Sequence, residues 1–301
     1  MSTKLHQIAQ HSSLELLARQ MVEGFITGMH KSPYHGFSVE FAEHRLYNDG
    51  ESTRHIDWKV YARTDRLFSK RYEEETNLRC LIAIDTSPSM FYPVETRSKL
   101  RFSIYAASAL SYLLHRQRDA VGLCLFSDSI RTLTQVKSTP SHLDKMFAVL
   151  NNLSEEQPAA VRTNVAQVLH EIAEKLHKRS LVIIFSDMFD GNENTDDLFN
   201  ALQHLKHNKH EVIVFHVMDH QTELLFNFED RPMEFIDLET NEKVKLNPGD
   251  IKQQYRLEAE NFHKALKMRC NQYKIDFVEA DVQSAFDTVL QTYLIKRAKM
   301  R

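Results

Sequence analysis

Short, wholly apolar runs separated by amphipathic helical segments are what most limits the fold of this chain. Cys80-Leu81-Ile82-Ala83-Ile84, Ala120–Phe126 (AVGLCLF), Leu181–Phe185 and Val212–Val217 lack the alternation of a strand with one wet face. Strands of this kind are buried on both faces, as in parallel sheets covered by helices. Between them apolar residues recur at helical spacing. Leu100, Ile104, Ala107, Leu110 and Leu114 mark a helix over 97–118, and Val165, Val168, Leu169, Ile172, Ala173 and Leu176 mark another over 163–178. Helices are also predicted over 141–151, 196–207 and 250–272, a strand over Ile275–Glu279, and a last helix holding Phe286, Val289, Leu290, Tyr293 and Leu294. Strands alternating with helices predict an α/β fold with a doubly wound, mostly parallel sheet and right-handed crossovers.

Two hairpins interrupt this rhythm. Ile130–Thr134 follows Ala120–Phe126 after only a few residues, and 233–246 alternates around Thr240-Asn241, which predicts a small insertion near 228–248. Ahead of the sheet, Leu14, Leu17, Ala18, Met21, Phe25 and Met29 form one stripe of a helix over 12–29. The Gly24/Gly28 spacing in it reads as a mark of close packing. Residues 35–75 carry mixed alternation and many charges, ending in a β-like stretch through Leu67, Phe68 and Tyr72. The expected division is an N-terminal helix and basic segment over 1–76, packed on a core domain over 77–301.

Composition excludes several function classes. The seven glycines build neither a dinucleotide-binding fingerprint, nor a phosphate loop, nor a nucleophile elbow. With 38 Lys+Arg against 41 Asp+Glu, bulk charge does not favour nucleic acid. The three cysteines lie far apart, Cys80 and Cys124 within apolar runs, and read with Cys270 as buried thiols of a reducing compartment. The opening MSTKLHQIAQHSS has no apolar signal-peptide core, and no run is long enough to span a membrane, so a cytoplasmic location is expected.

The chemistry-bearing residues gather where strands end. Asp85, Ser87 and Ser89 follow the first buried strand at alternate positions; Thr163 opens a helix, and Asp187 follows Leu181–Phe185. In an open α/β sheet these loops share one edge, where ligands bind. Hard oxygen donors with no histidine or cysteine beside them suit Mg²⁺, Mn²⁺ or Ca²⁺ better than zinc or copper. Two carboxylates and three neutral hydroxyls would leave such an ion electrophilic and open to an incoming carboxylate. Asp and Ser are also common in caps and turns, and Thr163 could simply cap its helix.

This pattern, D-x-S-x-S with a distant Thr and a distant Asp, resembles the metal-ion-dependent adhesion site of von Willebrand factor A-type domains. The resemblance implies that Ser87, Ser89 and Thr163 contact the ion directly or through one water, with Asp85 and Asp187 acting through waters. Arg162 departs from the small residue that many relatives place before the Thr. A longer motif narrows the family: Tyr47-Asn48-Asp49-Gly50-Glu51-Ser52-Thr53-Arg54-His55-Ile56-Asp57-Trp58-Lys59, then Ala62-Arg63-Thr64-Asp65-Arg66 and Tyr72-Glu73-Glu74-Glu75. It resembles the bacterial, MoxR-associated "domain of unknown function" family fifty-eight. That resemblance implies a von Willebrand A-like core, a MoxR-type AAA+ ATPase as partner alongside a further protein target, and no assigned catalysis.

The basic segment itself has two readings. Arg54, Asp57, Trp58, Lys59 and Arg63 could form a partner-binding surface with Trp58 as anchor, or Trp58 could be buried with Arg–Asp pairs tying the segment to the core. A scaffold that binds through this surface without metal is therefore one rival to a metal-dependent adaptor. A phosphoester hydrolase using the oxygen site is another, although Ser87 stands where such enzymes want a second acid. His204, His207 and His210 drift around a helix and converge poorly on a metal.

Overall fold

The computed structural model describes residues 13–30, 44–46, 61, 63, 68–70, 78–157, 164–177, 179–189, 195–283 and 287–299. The chain divides into two compact units, residues 27–77 and residues 1–26 with 78–301. Helix α1 (Leu14–His30) runs across this boundary. In the smaller unit, β1 (His44–Leu46) pairs antiparallel with β2 (Phe68–Lys70), which lies in the β-like stretch expected through Leu67, Phe68 and Tyr72.

The larger unit holds the sheet. Its elements are β3 (Arg79–Asp85), α2 (Ser98–Arg116), β4 (Ala120–Phe126), β5 (Ile130–Leu133), α3 (Pro140–Glu155), α4 (Val165–Lys175), β6 (Leu181–Ser186), α5 (Thr195–His207) and β7 (Glu211–Met218). The hairpin β8 (Met233–Ile236) and β9 (Lys243–Leu246) comes next, then α6 (Pro248–Gln272), β10 (Asp276–Asp281) and α7 (Asp287–Lys299). The strand order is β10-β7-β6-β3-β4-β5, parallel throughout except for β5, which returns antiparallel to β4. The chain winds outward from β3 through β4 and β5, then crosses to the other side of β3 for β6, β7 and β10. Strand order thus reverses between β3 and β6, as in a doubly wound sheet.

Burial on both faces explains the apolar runs: Cys80 through Ile84 and Leu181 through Phe185 have no exposure. Leu81, Ala83, Val182, Ile184, Val212 and Val214 share one core with α4, α5 and the C-terminal part of α6. The pleat sends alternate residues to the other face, where the Phe185 and Phe215 rings stack 4.8 Å apart. Helix α2 packs on β3 and β4 and against α3 and α7. No helix among the described residues is long and apolar enough to cross a membrane. All three cysteines are buried and outside any disulfide, and burial pushes the Cys124 and Cys270 thiols up to about 12.

Two expectations for α1 need correction. Leu14, Leu17 and Ala18 are buried as predicted, but Val22 continues the stripe, while Met21 and Phe25 are only half-buried. A Cβ added at Gly24 would meet nothing within 4 Å, so Gly24 marks no close packing. Close approach occurs instead at Gly122, in the middle of β4, where the segment after β5 crosses and Val121 bridges to Lys137. At the sheet's outer edge, Lys296 of α7 pairs with Glu211 of β7 and Asp276 of β10. Lys267 of α6 bonds Glu279 of β10 at 2.8 Å.

A Cβ at Gly122 would lie 2.9 Å from the Val136 side chain and 3.3 Å from the Gln135 carbonyl. Gly122→Ala is therefore expected to lower stability by about 1–3 kcal/mol, the usual cost of overpacking. Urea unfolding of the two proteins checks this.

Candidate functional site

The last residue of β3 starts the site. The Asp85 side chain, with no solvent exposure, accepts the Ser87 backbone N–H on Oδ1 at 2.9 Å. Such an Asx turn reverses the chain locally, and a 3₁₀ turn over Pro88–Phe91 continues the bend. The Ser87 and Ser89 hydroxyls consequently meet at 3.0 Å. Thr86 faces the other way and donates to the Phe126 carbonyl at 2.8 Å, fastening the end of β3 to β4.

Strand β6 supplies the opposite wall. Because Ile84 pairs with Phe185, the two strands end level with each other. Ser186 Oγ donates to Asp85 Oδ2 at 2.6 Å and accepts the Met188 N–H at 2.8 Å. Met188 adopts φ 54°, which turns the chain sharply after Asp187. Asp187 Oδ1 accepts the Phe189 N–H at 3.1 Å, and its carbonyl accepts the Nε2–H of His216 at 2.9 Å. Burial, with His263 adding to it, lowers His216 to about 4, so this ring donates as a neutral imidazole.

One residue absent from the sequence-derived set organises the charges. Lys99, in the first turn of α2, has no side-chain exposure. Its ammonium donates to Asp187 Oδ2 at 2.9 Å and to Glu223 Oε1 at 2.5 Å. Glu223 lies in a π-helical turn, His220–Leu224, and its other oxygen accepts the Asp219 N–H at 2.7 Å. Burial works against charge on Asp187, but Lys99 outweighs it, aided by Ser89 and the Phe189 N–H, and holds this carboxyl below its ordinary range. Asp85 goes the other way: burial first, and the Asp187 charge second, raise it from 3.8 to about 7.

Asp85, Ser87, Ser89 and Asp187 thus come together at the strand-order reversal. Thr163 and Arg162 lie outside the described residues, as do Arg54, Asp57, Trp58 and Lys59, whereas Arg63 is exposed. Lys99, Ser186, His216 and Glu223 complete the surroundings. A signal for Lys99 does exist: it sits on a helix apolar around most of its circumference, where one turn later Ser103 and Ile104 are also buried. Nothing comparable in the sequence marks Glu223.

The donor set fits a hard cation. Asp85 is wholly buried, its hydrogen bonds come from a backbone N–H and serine hydroxyls, and no ion pair among the described residues reaches it. A buried carboxylate beside a second one favours a cation between them. Among the described residues no three His, Cys, Asp or Glu side chains could hold an ion together, so a cation here would also depend on the serine hydroxyls. His204, His207 and His210 form no such group either.

The family profile described as "Protein of unknown function DUF58" matches residues 43–267. Uncharacterised proteins of Mycobacterium bovis and Mycobacterium tuberculosis are each 25% identical over 207 residues, 69% of this chain and 63% of theirs. The chain therefore spans less than two thirds of the length of these relatives. Among solved structures, the conserved hypothetical protein BatB from Bacteroides thetaiotaomicron is similar with a TM-score of 0.39 and 15% identity, over 74% of this chain and 99% of that one. A von Willebrand factor type A protein from Catenulispora acidiphila gives a TM-score of 0.36 and 15% identity over 48% of this chain and 34% of its own.

The raised Asp85 carboxyl has a measurable consequence in the metal-free protein. The folded state keeps a proton that the unfolded chain has released, so this group's contribution to stability declines from pH 3.8 to about 7 and stays low above. In chelator, Asp85→Asn should therefore gain stability relative to wild type across that window. Urea unfolding at pH 5 and pH 8 checks it: the stability difference between the two proteins should be larger at pH 8.

Proposed function

We propose that this chain, which belongs to the DUF58 family of proteins of unknown function, is a non-catalytic, divalent-metal-dependent adaptor that grips an acidic side chain of a partner protein. The single observation that carries the reading is Asp85, a fully buried carboxylate raised to about 7 beside Asp187, with two serine hydroxyls converging next to it. Ser87, Ser89 and Thr163 would hold Mg²⁺, Mn²⁺ or Ca²⁺ directly or through one water, and Asp85 and Asp187 through intervening waters. Bound there, the ion supplies an open coordination position for a carboxylate.

The chain's own residues prepare that position. Ser186 fixes the orientation of Asp85, and His216 and the Phe189 N–H fix Asp187. Phe189, two residues past Asp187, is 59% exposed and offers a partner apolar contact beside the acid-binding point. Ser87 Oγ bonds Ser89 Oγ rather than a histidine base, which supports binding over a serine nucleophile. The partner we infer from the family resemblance is a MoxR-type AAA+ ATPase, in the cytoplasm.

Affinity capture from a native bacterial lysate, with Mg²⁺ or with EDTA, tests the proposal using wild type and Asp85→Ala as baits of matched circular dichroism. An AAA+ ATPase retained by wild type in Mg²⁺, and lost with EDTA or with Asp85→Ala, is the expected result. The same proteins retained in every condition would move the interface to the Arg54–Arg71 segment. Metal-dependent turnover of a phosphoester, lost with Asp187→Ala, would replace the adaptor with a hydrolase.

A further inference from the structure

Building on the metal-site reading above, we propose that Lys99 is a built-in competing cation, which holds Asp187 and Glu223 when no divalent ion is present and thereby weakens the site's grip on that ion. The ammonium is fully buried, 2.9 Å from Asp187 Oδ2 and 2.5 Å from Glu223 Oε1. It therefore occupies one oxygen of a carboxylate that a cation between Asp85 and Asp187 would also use. It also stands as a fixed positive charge against any ion entering the crevice, in surroundings where charges interact more strongly than in water.

Charge counting shows what the arrangement achieves. With Asp85, Asp187 and Glu223 ionised, three negative charges and one positive leave two negative, which a divalent ion cancels. Without the lysine charge, the loaded crevice would keep one negative charge and repel the acidic side chain it is to bind. Lys99 thus trades affinity for the ion against acceptance of an anionic partner. The anchoring is also structural: Lys99 joins the first turn of α2, the loop after β6 and the turn after β7.

Mn²⁺ titration of the full chain, followed by the electron paramagnetic resonance signal of the free ion, tests the inference. The proteins are wild type, Lys99→Met, Lys99→Gln and Lys99→Arg. Both neutral variants are expected to bind Mn²⁺ at least about tenfold more tightly than wild type, about 1.4 kcal/mol. Lys99→Arg keeps the charge and should stay near wild type. Should Lys99→Met fail to fold, Lys99→Gln decides, because its amide can still donate to a carboxylate. Equal or weaker Mn²⁺ binding by the neutral variants overturns the competing role and leaves the metal site standing. No Mn²⁺ bound by any of the four proteins overturns both.

Discussion

A lysine ammonium sealed from water governs the arrangement at the carboxyl end of this sheet. A buried charge costs several kcal/mol unless it is paired and hydrogen-bonded, and Lys99 meets that requirement with Asp187 and Glu223. The pairing fixes which carboxylate keeps its charge. Asp187, with the lysine against it, is held ionised, whereas Asp85, with no cation against it among the described residues, is raised by its burial first and by the Asp187 charge second. Two carboxylates at the ends of neighbouring strands thus differ, with one lysine from the helix that follows β3 paired to only one of them.

Much of the fold is legible in the sequence because its strands are buried on both faces. Runs such as Ala120–Phe126 leave no choice of which face to hide, and the strand matches the predicted bounds. The hairpin near 233–246 is legible for the opposite reason, since its alternation and the Thr240-Asn241 turn are local signals; Asn241 adopts φ 59°. Alternate spacing after β3 makes Asp85, Ser87 and Ser89 visible as a group. Lys99 is harder to see, because a lysine ordinarily marks a solvent face and its partners lie 88 and 124 residues away. In α1 the buried stripe passes to Val22 instead of Met21, a choice that depends on what the helix meets and not on its periodicity.

The family match and the site coincide in an informative way. The matched span, 43–267, takes in Asp85, Ser87, Ser89, Lys99, Asp187 and Glu223, and ends within α6. It leaves out α1, β10 and α7. The central strands and the loops that bear the charged cluster therefore fall inside the part shared with the family, and the outer strand of the sheet and its covering helix fall beyond it.

That outer strand has a consequence of its own. A parallel sheet ending in an open strand presents unsatisfied backbone groups to any passing extended chain. Here the border strand carries Asp276, Glu279 and Asp281 within six residues, with Lys296 and Lys267 drawn over it from α7 and α6. A second chain would have to pair beside a strand that carries carboxylates on both faces, with lysines already held to them, before gaining a hydrogen bond. The charges at this border thus act as a guard against self-association, keeping an apolar, heavily β-branched sheet from extending into a neighbouring molecule.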